Sequence, residues 1–291
     1  MNLVGDYLIR GYNSEVRVVV VTCKDAVNEA RERHQCSATA ISALGRLMAG
    51  GLLLATNLKE EKEALSLKIS CDGPLEGIVV DASPTGGVRG YVKNSTVDIV
   101  GSDGVSNSKE AIGNGTLTVT RFLSNGETFG GTTPLISGEI ASDLTHYLLS
   151  SEQIPSLMSL GVLVNLDLSI GSAGGIFIQA LPGASDETLA EIENMIFALP
   201  PISQMLSEGN TPEEVIQLIF GRLPFEMGEP QTVGFYCGCS RDRMKESLIT
   251  LGKAELEEMA KDEEEIELIC HYCNEHYYFP SSELSQMANQ L

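Results

Sequence analysis

Apolar positions in the first part of the chain switch repeatedly between strand and helix periods. Val16 to Thr22 is a β-branched run that suits a strand, and Asp25 to His34 is a polar helical stretch. From Ala38 to Leu58 the sequence ATAISALGRLMAGGLLLATNL is apolar over most of a helical circumference. Arg46 and the Gly50-Gly51 pair interrupt it too early for a membrane span, so a buried core helix is expected. Leu65 to Cys71 then alternates, and strands at Gly77 to Ala82 and Val88 to Val92 flank the turn-like Ser83-Pro84-Thr85-Gly86-Gly87. Leu117 to Phe122 alternates again after Gly113-Asn114-Gly115, and Gly138 to Ser150 places Ile140, Leu144, Tyr147 and Leu148 on one helical face. Leu160 to Ile170 and Gly175 to Leu181 return to strand. Strands and helices mix without strict βαβ alternation, which predicts an α+β core domain over residues 1–181.

The pattern becomes helical and acidic over residues 182–231, read as a linker. Ser185 or Asp186 can cap a helix whose Leu189, Ile192, Ile196 and Leu199 form a stripe halted by Pro200-Pro201. Thr211 with Glu214 three residues on, and Pro212 at the first helical position, is a capping box opening a second helix. Its Val215, Ile216, Leu218 and Ile219 need a surface to lie on. Short amphipathic helices do not stand alone, so the pair is expected to clamp against the core. Residues 232–291 form a third, small domain, with helices over Arg241 to Leu251 and Lys253 to Ala260 broken at Gly252, then the acidic run Asp262-Glu263-Glu264-Glu265.

Charge removes several classes of function. Lys and Arg number 19 against 40 Asp and Glu, a net charge of −21, so no basic footprint for nucleic acid exists. Such a surface keeps a chain in solution even when it exposes apolar area. Seven cysteines is an odd number, and Cys23, Cys36 and Cys71 are scattered without pairing signals, which argues against a secreted disulfide framework and for buried small apolar residues. The start MNLVGDYLIRG lacks the marks of a leader, and a cytoplasmic location with no membrane partner is expected.

Cys237-Gly238-Cys239 and Cys270-His271-Tyr272-Cys273 carry the chemistry, two tight pairs with thirty residues between them. Four thiols can surround one tetrahedral ion, and zinc suits an all-sulfur shell; the same pairs can close as local disulfides. Zinc would tie the two arms together, and a domain of this size is marginal without such a staple. Disulfides within the pairs close very short loops and would not replace it. Zinc-bound thiolates are also what peroxide attacks, so the site suits an oxidant-triggered loss of order. A permanent structural zinc site is the plain alternative. His271 and His276 are neighbours to a shell that four thiols already fill. Asp143 and His146, one helical turn apart, lack a nucleophile elbow and read as an ordinary helix face, and no phosphate-binding glycine motif is present. A thiol oxidoreductase would need Cys270 and Cys273 at the strand-to-helix junction of a thioredoxin-like unit, and a zinc-ribbon adaptor would bind its partner in the reduced form.

The C-x-C and C-x-x-C pairs behind an acidic helical linker resemble the redox-regulated 33 kDa heat-shock chaperone family of bacteria. The resemblance covers the whole chain through Leu8-Ile9-Arg10-Gly11, ALGRLMAGGLLLA, DGPLEGIVVDA, VRGYV, SGEIASDLTHYLLSSEQIPS and AGGIFIQALPGA. It implies an ATP-independent holdase, not an enzyme, dormant while reduced with one zinc ion on Cys237, Cys239, Cys270 and Cys273. It further implies oxidative pairing of Cys237 with Cys239 and of Cys270 with Cys273, zinc release, and unfolding of the C-terminal domain and linker. The activated form, as a homodimer, would bind unfolding proteins and pass them to ATP-dependent foldases. The linker's apolar face, Leu189, Ile192, Ile196, Val215, Ile216 and Ile219, is a candidate part of that response.

Overall fold

The computed structural model describes residues 5–101, 106–262 and 265–291; Met1 to Val4 of the N-terminal reading, and Glu263 and Glu264 of the acidic run, lie outside the described residues. The chain divides into two compact units, Met1–Tyr236 and Cys237–Leu291. Segment 182–231 lies within the first.

That first unit runs through β1 (Tyr7–Tyr12), β2 (Val16–Thr22), α1 (Lys24–His34), α2 (Ala38–Ala55), β3 (Ala64–Cys71), β4 (Gly77–Ala82), β5 (Gly87–Val92), α3 (Ser108–Ile112), β6 (Gly115–Phe122), β7 (Thr128–Pro134), α4 (Ile140–Ser151), β8 (Ser156–Val164) and β9 (Ile170–Ala180). It continues through α5 (Asp186–Ala198), α6 (Ile202–Ser207), α7 (Pro212–Phe220), β10 (Glu226–Met227), β11 (Gln231–Thr232) and β12 (Gly234–Phe235). The second holds α8 (Arg241–Ile249), α9 (Lys253–Asp262), β13 (Glu265–Ile269), β14 (His276–Pro280) and α10 (Ser281–Gln290). The mixed α+β class is as the sequence predicts.

Two sheets build the first unit. One has the order β10-β1-β2-β9-β8, with β11 also on β1; the other runs β12-β5-β4-β3-β6-β7. Helix α2 packs against β8 and β9 of the first sheet and β4 and β5 of the second. All its residues except Ala38 and Arg46 are buried, because a helix apolar all round has no face to give to water. By length and composition it is apolar enough to cross a membrane, yet 89% of it is buried inside the protein. It stops at Ala55 rather than Leu58: the Thr56 hydroxyl donates back to the Leu53 carbonyl at 2.6 Å, and Arg17 donates to the Thr56 carbonyl at 3.1 Å, a cation at a helix C-terminus.

Strand β2 explains its own composition. Val19 and Val21 enter the core beneath α2, while Val16, Val18 and Val20 enter a second cluster on the opposite face of the sheet. Alternation places neighbouring valines on opposite faces, so an unbroken apolar run marks a strand buried on both sides. The second cluster consists of Ile9, Val16, Val18, Val20, Ile176 and Ile178 from the sheet with Ile192, Ile202, Met205, Val215, Ile216, Ile219 and Phe220 from α5, α6, α7.

The structure departs from the sequence pattern in three places. Leu160 to Ile170 is not one strand: β8 ends at Val164 and the chain turns before β9, with Leu168 at φ 67° and the Asp167 carboxylate accepting from the Ser169 amide at 3.0 Å. The alternation L-V-N-L-D-L imitates a strand, but Asn165 and Asp167 favour the turn, and Leu166 projects into solvent. Leu218 is 45% exposed and does not belong to the buried stripe of α7. Cys71 is only half-buried, whereas Cys23 and Cys36 are buried; burial pushes up the pKa of all three thiols.

Candidate metal centre and helix clamp

In the second unit β13 and β14 form an antiparallel hairpin, Ile269 opposite His276, and the tight link between them carries the C-x-x-C pair. The Asn274 amide donates to the Cys270 carbonyl at 2.7 Å and the Cys270 amide to the Glu275 carbonyl at 2.9 Å. Asn274 takes φ 57°, which closes the loop beneath the thiols. Backbone amides of Tyr272 and Cys273 point at the Cys270 sulfur, and that of Glu275 at the Cys273 sulfur. The C-x-C pair sits just before α8, whose N-cap Ser240 accepts from the Arg243 amide at 3.3 Å; the Arg243 guanidinium donates to the Gly238 carbonyl at 2.8 Å. Both arms are thus shaped by local backbone hydrogen bonds.

The four sulfurs of Cys237, Cys239, Cys270 and Cys273 all lie within 4.8 Å of one another. Cys237 Sγ is 3.7 Å from Cys270 Sγ, and Cys239 Sγ is 3.3 Å from Cys273 Sγ. Four sulfurs each about 2.3 Å from a tetrahedral ion are about 3.8 Å apart, so the donors fit a metal of zinc's size and preference. Burial raises the pKa of the Cys270 and Cys273 thiols, and a divalent cation supplies the charge that lets buried sulfurs ionise. The Tyr277 hydroxyl donates to Cys239 Sγ at 3.1 Å, a support for one donor. His276 faces Glu267 at 2.7 Å, and His271 is exposed; neither is in the sulfur cluster.

A second tie has no signature in the sequence. Arg241 donates to both carboxylate oxygens of Glu283 at 3.1 and 2.6 Å and to the Tyr278 carbonyl at 3.0 Å, with its guanidinium 4.5 Å above the Phe279 ring. It joins the segment after Cys239 to β14 and α10 through groups other than sulfur. No spacing signals such a pair, since Arg241 and Glu283 are brought together only by the hairpin. Beneath it lies a small core of Leu248, Leu256, Ile266, Phe279, Leu284, Met287 and Ala288.

The clamp helices in the first unit rest on caps and close approach. Ser185 accepts from the Thr188 amide at the start of α5, and the Thr211–Glu214 capping box opens α7. Glu15, in the β1–β2 turn, accepts from the Ser185 amide at 2.7 Å and the Thr188 hydroxyl at 2.8 Å, hydrogen bonds that hold its pKa below the usual value. A Cβ on Gly11 would come within 2.6 Å of Ile216 Cγ2, so β1 admits α7 only because that residue has no side chain. Ile192, Val215, Ile216 and Ile219 are buried; Leu189 and Ile196 are partly buried against the same cluster. Phe225, beyond α7, stacks on Phe220 at 4.5 Å between ring centroids. Asp143 is buried and accepts from the Ile136 and Ser137 amides at 2.8 and 3.1 Å, a loop-holding role.

Comparison with known proteins bears on both regions. A family profile described as Hsp33 protein matches residues 6–280. The 33 kDa chaperonin of Bacillus subtilis (strain 168) is 40% identical over 289 residues, covering 98% of this chain and 99% of that one. Its counterpart from Geobacillus kaustophilus (strain HTA426) is 41% identical over 287 residues, 97% of each. The crystal structure of the 33 kDa chaperonin from Thermotoga maritima matches with a TM-score of 0.90 at 35% identity, covering 98% of both chains.

Proposed function

The chain belongs to the Hsp33 family, whose members are chaperones and not enzymes, and on that premise we propose that it is an ATP-independent holdase switched by its four C-terminal cysteines. In the resting, reduced form the thiolates of Cys237, Cys239, Cys270 and Cys273 hold one zinc ion. Bound there, zinc crosslinks two arms that are far apart in sequence and supplies most of the stability of a small unit. Its affinity for such sites is worth about 10–16 kcal/mol at neutral pH in isolated zinc fingers, comparable with the stability of a whole domain.

Oxidation by peroxide pairs Cys270 with Cys273 and Cys237 with Cys239. In each pair one thiolate attacks an oxygen of the peroxide and becomes a sulfenic acid while hydroxide leaves. The second thiolate then displaces hydroxide from that sulfenic sulfur to form the S–S bond, so each disulfide consumes one peroxide and releases two hydroxides, which take up two protons from solvent to become water. Disulfides leave no thiolates for the metal and close loops too short to stabilise the unit. Residues 232–291 then lose order and the linker, residues 182–231, leaves the first sheet. Ile9, Val16, Val18, Val20, Ile176 and Ile178 are what the departing helices uncover. The opened chain, as a homodimer, binds unfolding proteins through apolar surface and yields them to ATP-dependent foldases. It works in the cytoplasm, with neither nucleic acid nor membrane as partner, and the −21 charge keeps the opened form in solution.

The observation that carries this reading is the convergence of four thiols from two separate arms within 4.8 Å. Zinc release, far-UV circular dichroism and suppression of client aggregation, followed together on one sample during peroxide treatment, test it. Zinc loss, falling helicity and rising activity in step are expected. Retained zinc, or activity confined to the reduced form, contradicts the switch and favours a structural zinc site. Peptide mapping under non-reducing conditions adds a check, because cross-arm pairing of Cys239 with Cys273 would keep the arms stapled.

A further inference from the structure

Strand β1 has two covers, and consecutive segments of the chain supply them. Helix α7 lies on its face, over Ile9 and Gly11. Residues 226–236 then run along its edge as a strap. Met227 and Glu226 pair antiparallel with Gly11 and Tyr12, and Thr232 and Gln231 with Tyr7 and Leu8. The Gly228 amide donates to the Arg10 carbonyl at 2.7 Å, and the Val233 amide to the Asp6 carbonyl at 3.0 Å. The strap next reaches the second sheet, where Gly234 and Phe235 pair parallel with Gly87 and Val88.

As a strand the strap is weak. Each of its three pairings is two residues long, and Gly228 and Pro230 interrupt them. It hides the edge of β1 without competing strongly for it. An uncovered edge presents a row of unpaired amides and carbonyls that any extended chain can join. Here that edge adjoins the apolar face of Ile9, Val18 and Val20, which the departure of α7 bares at the same time.

We infer that the edge of β1, vacated by the strap, is a docking site for an extended segment of client polypeptide, which joins the first sheet as an added strand. The inference rests on the holdase reading above and specifies how the client is held. The strap itself shows that this edge accepts an antiparallel extended chain. Main-chain pairing is indifferent to sequence, while alternate apolar residues of the added strand would extend the bared face, so the site selects unfolded, strand-forming segments of many proteins.

The test uses the full chain oxidised with peroxide and a labelled peptide of alternating valine and threonine with lysine ends. The second probe is the same peptide N-methylated at every backbone amide, which keeps the side chains and an extended backbone but donates no main-chain hydrogen bond. Fluorescence anisotropy is expected to show at least tenfold tighter binding of the unmethylated peptide. Amide exchange over residues 6–12 should slow when it binds. An oxidised chain that suppresses client aggregation yet binds both peptides within twofold, or that slows exchange only at β7 or β8, overturns the edge inference alone. An oxidised chain that suppresses no aggregation overturns the holdase reading and this inference with it.

Discussion

Both faces of the first sheet are apolar, yet the helices that cover them differ in character. Val19 and Val21 of β2 face α2, a helix buried along almost its whole length. Val16, Val18 and Val20 face α5, α6 and α7, of which α5 buries only Thr188 and Ile192 and α6 only Ile202 and Met205. A helix apolar all round cannot leave its core without exposing most of itself; helices with polar outer faces and caps of their own can. Burial of a residue therefore does not reveal whether its cover is permanent. The composition of the covering helix sets which cover is expected to come away.

Removing the metal from the reduced chain should have the largest effect. With a strong chelator, residues 237–291 are expected to lose amide protection, as for other small zinc units whose metal is worth about 10–16 kcal/mol, while α2 keeps its protection. Unchanged protection of the hairpin β13–β14 after the metal is gone would assign its stability to Arg241–Glu283 and the small core instead.

Next come matched substitutions on the two faces. Leu53→Ala, in α2 where it packs beside Gly175 of β9, should lower global stability by about 2–5 kcal/mol in denaturant unfolding. Ile219→Asp places an unpaired carboxylate in the clamp cluster and should free the helices and raise basal holdase activity without oxidant, leaving the unfolding of α2 and its sheets little changed. A folded Ile219→Asp protein with unaltered light scattering of an aggregating client counts against the clamp.

A subtler change acts at Gly11. Gly11→Ala pushes a methyl group toward Ile216 and Phe220, 2.6 and 3.0 Å away, and should loosen α7 by about 1–3 kcal/mol, read as faster amide exchange in residues 212–220. Exchange as slow as in the unaltered chain would mean that the helix shifts to make room.

The smallest effect is of pH. Glu15 titrates below its ordinary 4.5 because it accepts from Ser185 and Thr188, so its contribution is present above pH 4.5 and is lost as pH falls through the lowered folded value. Asp6, whose carboxylate accepts from the Ala26 amide, is raised by burial to about 6, so its contribution grows as pH falls from about 6 toward 3.8. Acid should therefore loosen the start of α5 while it relieves the cost of burying the Asp6 charge. In Glu15→Gln the exchange of α5 should lose its dependence on pH below 4.5; a persistent dependence would place its source elsewhere.

The sequence made the regular pieces legible and left the irregular ones dark. β2 and β4 have the limits their β-branched runs predict, and α7 begins where its capping box says. The four cysteines stood out because pair spacing survives in one dimension. By contrast β7, TFGGTTP, has almost no apolar signal, and β1 is short with Arg10 in its middle. The strap is dictated by the edges it covers rather than by its own residues. That the run VRVVVV serves two clusters follows from alternation, but how little of α5 and α6 is buried shows only in their packing.

One measurement bears most directly on the claim that a single sheet has one permanent and one removable cover. Amide hydrogen exchange of the full chain, zinc-bound and reduced against peroxide-oxidised, reads both faces at once. The account predicts that oxidation abolishes protection over residues 186–220 and 237–291 while α2 and the β2–β9 pairing remain protected. Protection of α5, α6 and α7 that survives oxidation in a chain active as a holdase, or loss of protection in α2, would contradict it.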